Sequence, residues 1–362
     1  MKETQDCQAA PQAFIRNAWY AAIWAKDLPK AGMIAREILG EEVLLLRDAD
    51  GGIAAMQNLC PHRGAPLSQG KVTATGVQCG YHGLTFDVQG RCTGNPHGEG
   101  RIPPAMSLRT YPLLERYTIL WIWMGSGPAD ESLLPDFSLM DEIEDGNARG
   151  RDSLLMEANY LLLADNLLDL SHANYLHEGL LGFPEHSTAD VKVSQDDANT
   201  VSVARNLSNV PVARMHDLMF RNDGAPVDMW SDIRWQAPAC ITLVHGFSTP
   251  GSRGNSVEFT ALHFLTPANG EQTHYMYGIV RPRRVMDDPN LASLVAEARR
   301  FAFEQQDKTM LEAQQRTLAR TPWFKPVMLP LDAASVRVRR IVDRQTAEEQ
   351  ANQADTNGRL AL

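Results

Sequence analysis

Cys60-Pro-His62 and Cys79-Gly-Tyr-His82 set two Cys–His pairs on either side of a hairpin-length segment. Thiolate and imidazole are ligands for soft and borderline metals. Each pair also sits beside glycines (Gly64, Gly80, Gly83) that let the backbone fold tightly, so the four side chains together read as a metal site and not as four separate core residues. Two metals suit this donor set. A structural zinc would take all four ligands tetrahedrally, whereas a [2Fe-2S] centre would put Cys60 and Cys79 on one iron and His62 and His82 on the other. Spacing alone does not separate the two, although a C-x-H loop facing a C-x-x-H loop can supply one ligand to each iron.

A second constellation lies in Asp165-Asn166-Leu-Leu-Asp169-Leu-Ser-His172-Ala-Asn-Tyr-Leu-His177. Asn166, Asp169 and His172 follow one helical stripe, but His172 and His177 are five apart and point in different directions on a regular helix. For both to reach one ion, the helix must loosen or end near Tyr175. Burying two histidines, an acid and an amide on a Leu-rich segment is costly without a metal or a hydrogen-bond network, which makes them candidate site residues. A facial triad needs one more carboxylate, and a later helical segment offers Glu297, Glu304, Asp307 and Glu312. Glu304, Lys308 and Glu312 at i, i+4, i+8 predict a solvated, charge-paired face. Asp307 shares a stripe with Phe303, Met310, Leu311 and Gln314, and an acid on an apolar stripe is the one expected to face the core and bind a cation.

The elements that must position these groups fall into two parts. Residues 14–130 show short β-like runs between Gly and Asp clusters, which predicts a small antiparallel β domain. Residues 135–345 predict a mixed α+β domain, and 346–362 a polar, frayed tail. Within the second part, Leu154 to His177 reads as largely helical, and strands are expected around 191–194, 201–203, 241–244 and 274–280. Asp288-Pro289 reads as an N-cap and first-turn proline opening a helix to about Leu318. With a net charge of −10, phosphate attraction cannot dominate the choice of partner, so nucleic acid is excluded. Five scattered cysteines argue for a reducing cytoplasm, and no apolar run approaches a membrane span. There is no G-x-G-x-x-G or P-loop motif, so electrons must come from another protein.

The segments Cys60-Pro-His-Arg-Gly-Ala-Pro-Leu-Ser and Cys79-Gly-Tyr-His-Gly-Leu-Thr-Phe-Asp87 closely resemble the cluster loops of Rieske non-haem iron oxygenases. From Arg16-Asn-Ala-Trp-Tyr20 through Asn95-Pro-His-Gly98, Trp121-Ile-Trp123 and Pro226-Val-Asp-Met-Trp230 to about Val342, the chain is similar to the oxygenase components of the vanillate and dicamba O-demethylase group.

The resemblance implies an N-terminal Rieske [2Fe-2S] domain and a helix-grip-like catalytic domain. Cys60, His62, Cys79 and His82 would hold the cluster, and His172, His177 and Asp307 a mononuclear Fe(II), with Gln306 standing where the family usually has Glu. It also implies that Asp169 joins the cluster histidine of one subunit to His172 of the next in a head-to-tail homotrimer, and Asp169 and Asn166 are the candidate catalytic residues. A reductase or ferredoxin would deliver electrons, NAD(P)H acting only indirectly, and O₂ would be the co-substrate.

The activity so implied is hydroxylation of a methoxy carbon on an aromatic acid, giving a phenol and formaldehyde. The alternatives are hydroxylation or N-demethylation at another methyl group, a Rieske electron carrier, or a zinc-stabilised scaffold. His263, alternating with apolar residues on a strand, is the candidate substrate donor. His97, His186, His216, His245 and His274 are expected to be structural or superficial, Trp121 and Trp123 to be core, and Cys7, Cys92 and Cys240 to be inert.

Overall fold

The computed structural model describes residues 13–140, 151–280 and 287–360, with side chains to Asn352; Cys7 lies outside the described residues. The N-terminal part consists of antiparallel sheets. Trp19–Trp24, Ile119–Trp123 and Leu113–Arg116 form a three-stranded sheet. Gly32–Ile38, Glu41–Arg47, Ile53–Gln57 and Thr110–Tyr111 form a second sheet. Lys71–Thr73, Gly76–Gln78, Thr85–Asp87 and Cys92–Gly94 form a small outer one. Leu44, Leu46, Met56, Val77 and Phe86 make an apolar core at this tip, and Cys60 and Cys79 are buried within it.

The C-terminal part is built on a seven-stranded antiparallel sheet. In spatial order its strands are Asp152–Met156, Thr273–Val280, Ser252–Pro267, Cys240–Thr249, Val227–Gln236, Thr200–Val210 and Asp190–Asp197. Strict period-2 alternation sends Leu243, His245, Phe259, Ala261, His263 and Ile279 to one face, because Leu243 pairs with Ala261, His245 with Phe259, and Ala261 with Ile279. Helices cover that face.

Trp24 and Trp121 are fully buried and meet Phe264 edge-on at 5.8 and 5.6 Å, which welds the first part to the large sheet. A main-chain bond from Leu39 N–H to the Pro267 carbonyl (3.0 Å) and a side-chain bond from the Thr266 hydroxyl to the Ala21 carbonyl (2.8 Å) fix the same junction. His274 belongs to it as well, with Nδ1 2.8 Å from an Arg36 nitrogen and Nε2 2.9 Å from the Glu37 carbonyl.

Two expectations are corrected here. Asp152–Met156 is an edge strand, not the start of a helix, since its backbone pairs with Thr273–Val280 and helix begins only at Tyr160 after the Asn159 cap. Sheet pairing overrides a local composition rich in helix formers. The polar C-terminus is likewise no frayed tail. Ala333–Leu360 is one helix, Thr346 is buried, and the Glu349 carboxylate accepts from the Arg16 and Asn17 amides at 2.7 and 2.8 Å.

Candidate metal centres

The two cluster loops are local copies of each other. The Cys60 amide donates to the Ala65 carbonyl at 2.9 Å and the Gly64 amide to the Cys60 carbonyl at 2.9 Å; the Cys79 amide donates to the Leu84 carbonyl at 2.8 Å and the Gly83 amide to the Cys79 carbonyl at 3.0 Å. Gly64 and Gly83 have φ of 69° and 73°, a left-handed turn that a side chain resists. Each loop thus turns its cysteine into the apolar core and its histidine outward.

The His62 and His82 rings lie 4.7 Å apart at the outer surface. Burial raises the Cys60 thiol above its usual range, and the neighbouring Cys79 adds to this. A buried cysteine pair and an outer histidine pair divide the donors two and two, which fits two irons better than a single tetrahedral ion. His97, expected to be structural or superficial, hydrogen-bonds the His82 carbonyl through Nε2 at 2.8 Å and so braces the loop.

The second centre gathers residues distant in the chain. Helix Tyr160–Leu168 ends at Asp169, which is extended and caps a short turn, Leu170–His172, with its own side chain. A further turn, Ala173–Leu176, ends at His177. The required break therefore falls at both ends of the His172–His177 segment, and the rings come to 5.2 Å.

Asp307 arrives from the covering helix. It closes a π-helical stretch, Phe301–Asp307, set between Pro289–Arg300 and Lys308–Arg320. The wider turn adds a residue and rotates the phase, so that Asp307 is buried while Met310 is exposed, off the apolar stripe read from the sequence. Asp307 Oδ1 lies 3.2 Å from His177 Nε2 and 3.7 Å from His172 Nε2, and the three ligand atoms lie within 4.8 Å of one another. Among the described residues this is the group of three that converges on one point.

The ring nitrogens facing away from that point are already engaged. His172 Nδ1 is 2.7 Å from the Asp169 carbonyl and His177 Nδ1 2.8 Å from Gln306 Oε1, so with Nδ1–H donating in both rings each Nε2 lone pair is left for a cation. Gln306 thus keeps an acceptor where the family usually has Glu. Burial opposes protonation of both rings and lowers His172; for His177 the hydrogen bonds its protonated ring would donate to Asp307 and Gln306, with the Asp307 charge, outweigh burial and raise it. Asn166 Nδ2 donates to Asp307 Oδ1 at 3.1 Å. Two imidazoles and one carboxylate, with open space beside them, are the donor set of a mononuclear Fe(II) triad.

Asp169 meets His172 through its main-chain carbonyl. Its carboxylate takes the Ser171 hydroxyl at 2.6 Å and Arg205 at 3.4 Å, and it lines a surface cleft with Tyr175 and Leu331.

The charged face expected of Glu304, Lys308 and Glu312 is not a solvated one. Lys308 pairs with Glu312 at 2.7 Å, but Glu312 also accepts the Glu157 amide at 3.0 Å, and Glu304 accepts from the Tyr277 hydroxyl at 3.2 Å.

Beside the triad lies a cavity of about 90 Å³. At roughly 10–15 Å³ per water-sized group it holds about six to nine such groups, the size of one substituted ring. His263 lines it, and so do His186, His216 and His245, which are buried and not superficial, together with Arg299. Burial first, then Arg299, drives His263 down to about 3; burial also takes His245 to about 3 and His186 to about 4, so all are neutral at physiological pH. His245 carried a signal that sequence reading passed over, since Ile241, Leu243, His245 and Phe247 alternate just as the residues around His263 do.

The chain matches the Rieske [2Fe-2S] domain over residues 18–112 and the vanillate O-demethylase oxygenase C-terminal domain over residues 156–348. It is 33% identical to the oxygenase component of dicamba O-demethylase from Stenotrophomonas maltophilia, over 91% of this chain and 97% of that one. It is 31% identical to the iron-sulfur subunit of the toluene-4-sulfonate monooxygenase system of Comamonas testosteroni, over 94% and 99%. Crystal structures of dicamba monooxygenase cover 94% of this chain and 100% of their own: one bound to 3,6-dichlorosalicylic acid has a TM-score of 0.86 at 32% identity, and one with non-haem iron and dicamba 0.79 at 31%. The chain belongs to the vanillate O-demethylase family of Rieske non-haem iron oxygenases, whose metals are a [2Fe-2S] cluster and a mononuclear iron.

Proposed function

We propose that this protein is the oxygenase component of a multi-component aromatic O-demethylase acting on a single-ring, methoxy-substituted acid. The observation that carries the reading is the one-ring cavity directly beside His172, His177 and Asp307. Cys60, His62, Cys79 and His82 would hold the cluster and the His172–His177–Asp307 triad the iron, and together these metals supply electron transfer and O₂ activation when bound. In the overall change one O₂, two electrons and two protons convert the aryl methyl ether to a hemiacetal and water; the hemiacetal then breaks the bond between the aryl oxygen and the methylene carbon while its hydroxyl proton passes to the aryl oxygen, giving the phenol and formaldehyde.

The residues of the chain orient and enclose. Phe259, Ala261, Ile279 and Phe303 exclude water and pack a ring, His263 supplies a polar contact to it, and Asn166 fixes the Asp307 carboxylate. Asp169, on an open cleft and bonded through its carbonyl to His172, is suited to receive a neighbouring subunit's cluster histidine in a head-to-tail homotrimer. A separate reductase or ferredoxin in the cytoplasm would supply the electrons. A second reading, hydroxylation of a ring-bound C-methyl group, is favoured by the similarity to the toluene-4-sulfonate system.

The test is to supply methoxybenzoates to the iron-loaded protein with a surrogate reductase while recording O₂ uptake and formaldehyde. Formaldehyde in step with O₂ supports O-demethylation. A hydroxymethyl product from methylated acids, without formaldehyde from the methoxy acids, supports the second reading.

A further inference from the structure

Arg299, at the end of the helix Pro289–Arg300, is only 4% exposed and is the one Arg or Lys among the described residues lining the cavity. Its guanidinium is held from behind. Nη2 bonds Asp152 at 2.6 Å, and the group lies over the Tyr277 ring at 5.1 Å. Nε and Nη1 are buried and have no hydrogen-bond partner among the described residues.

A second buried arginine provides the contrast. Arg205 is 7% exposed, but its Nη2 reaches the His186 carbonyl at 2.9 Å and its Nη1 reaches Asp169 at 3.4 Å, so both Nη atoms are partnered. Burying a cation with orphaned donors is costly unless an acceptor arrives. Among the described residues no acceptor on the cavity wall reaches Nε or Nη1 of Arg299. Its other lining residues near Arg299 are apolar or neutral imidazoles, and its one carboxylate, Asp307, belongs to the metal triad.

We propose that Arg299 is the counter-charge that selects an oxyanion-bearing aromatic substrate, an arylcarboxylate or arylsulfonate, by hydrogen bonds from Nε and Nη1. This rests on the cavity being the substrate site and adds the residue that makes the site charge-selective. Asp152 holds the guanidinium in place from its far side, while the neighbouring neutral His263, whose Nδ1 is 2.7 Å from the Tyr275 hydroxyl and whose Nε2 is unpartnered, leaves the positive charge uncontested. A charged pair enclosed in an apolar wall discriminates strongly against a neutral isostere.

The test is calorimetric binding of 4-methoxybenzoate, 4-methoxybenzenesulfonate and 4-methoxybenzamide to the metal-loaded protein without reductant, so that nothing turns over. The wild type should bind one or both anions on the order of 100-fold more tightly than the amide, and the two anion arms show which oxyanion the site takes. Arg299→Met should erase that preference while leaving amide binding within a few-fold, and Arg299→Lys should keep part of it. Equal affinity of the wild type for acids and amide, no binding of either anion, or a preference that survives in Arg299→Met overturns the proposal. The wild-type comparison stands even if Arg299→Met fails to fold. Formaldehyde from the amide at the rate of the acid would remove this proposal and leave O-demethylation standing; anion-selective binding without formaldehyde would do the reverse.

Discussion

The cluster loops and the iron triad are both small sets of histidines joined by harder or softer partners, yet they are assembled in opposite ways. At the tip, each Cys–His pair is set by a turn that closes on itself within a few residues, and the same hydrogen bonds recur in both loops. In the second centre, His172 and His177 are brought to Asp307 across more than a hundred residues of chain, and the acid is aimed by a π-helical turn that no local pattern announces. A locally coded site can tolerate change elsewhere in the fold. A site assembled from distant elements depends on every contact that sets helix phase and on the side chains that fix each ligand's rotamer.

The largest expected effects divide the two centres cleanly. Cys60→Ala or His82→Ala should abolish the visible Rieske spectrum, since one iron loses a ligand, and leave the triad able to bind iron. Asp307→Ala should do the converse, with loss of the mononuclear iron and of turnover under an unchanged cluster spectrum. Metal analysis with absorbance reads both, and cross-loss of both metals in either variant would break the separation.

Asp169→Asn comes next. Both metals should stay loaded and the cluster reducible, while single-turnover transfer to the iron slows by orders of magnitude. Mixed oligomers of Asp169→Asn with Cys60→Ala subunits should regain partial activity if the path runs between subunits, and no recovery in verified mixed oligomers would place it within one chain.

A smaller effect is expected at Gln306. Gln306→Ala leaves His177 Nδ1 unheld and should weaken iron binding by roughly 10–100-fold, whereas Gln306→Glu should restore it because a carboxylate accepts the same hydrogen bond. Iron titration of the metal-free protein measures both. Equal binding by all three forms would mean that the ring is positioned by packing alone.

The smallest contrast lies along the helix that carries Asp307. Glu312→Ala removes an acceptor from the Glu157 amide and a partner from Lys308 and should cost about 1 kcal/mol, while Glu304→Ala, which strips the acceptor from the fully buried Tyr277 hydroxyl, should cost about 1–2 kcal/mol. Urea unfolding of each variant compares them, and loss of iron in Glu304→Ala would show that the helix phase differs from that described.

What the sequence alone determined is what short-range chemistry determines. The Cys–His pairs with their glycines, the acid and histidines of the 165–177 segment, and the alternating strands 191–194, 201–203, 241–244 and 274–280 are written in residue type and spacing, because turns and pleats act over a few residues; Asp307 was legible as the acid on a part-apolar stripe, but its aim came from the π-helical turn. Tertiary structure decided the rest. Asp152–Met156 became a strand because an unpaired sheet edge outbid local helix propensity, and the C-terminal helix runs past Gln345 because Glu349 found two free amides at Arg16 and Asn17. His186, His216 and Arg299 reach the cavity beside His245 only when three separate elements fold over the sheet face that carries it. No spacing rule encodes that meeting, because burial and unpartnered donors are properties of packed neighbours and not of neighbours along the chain.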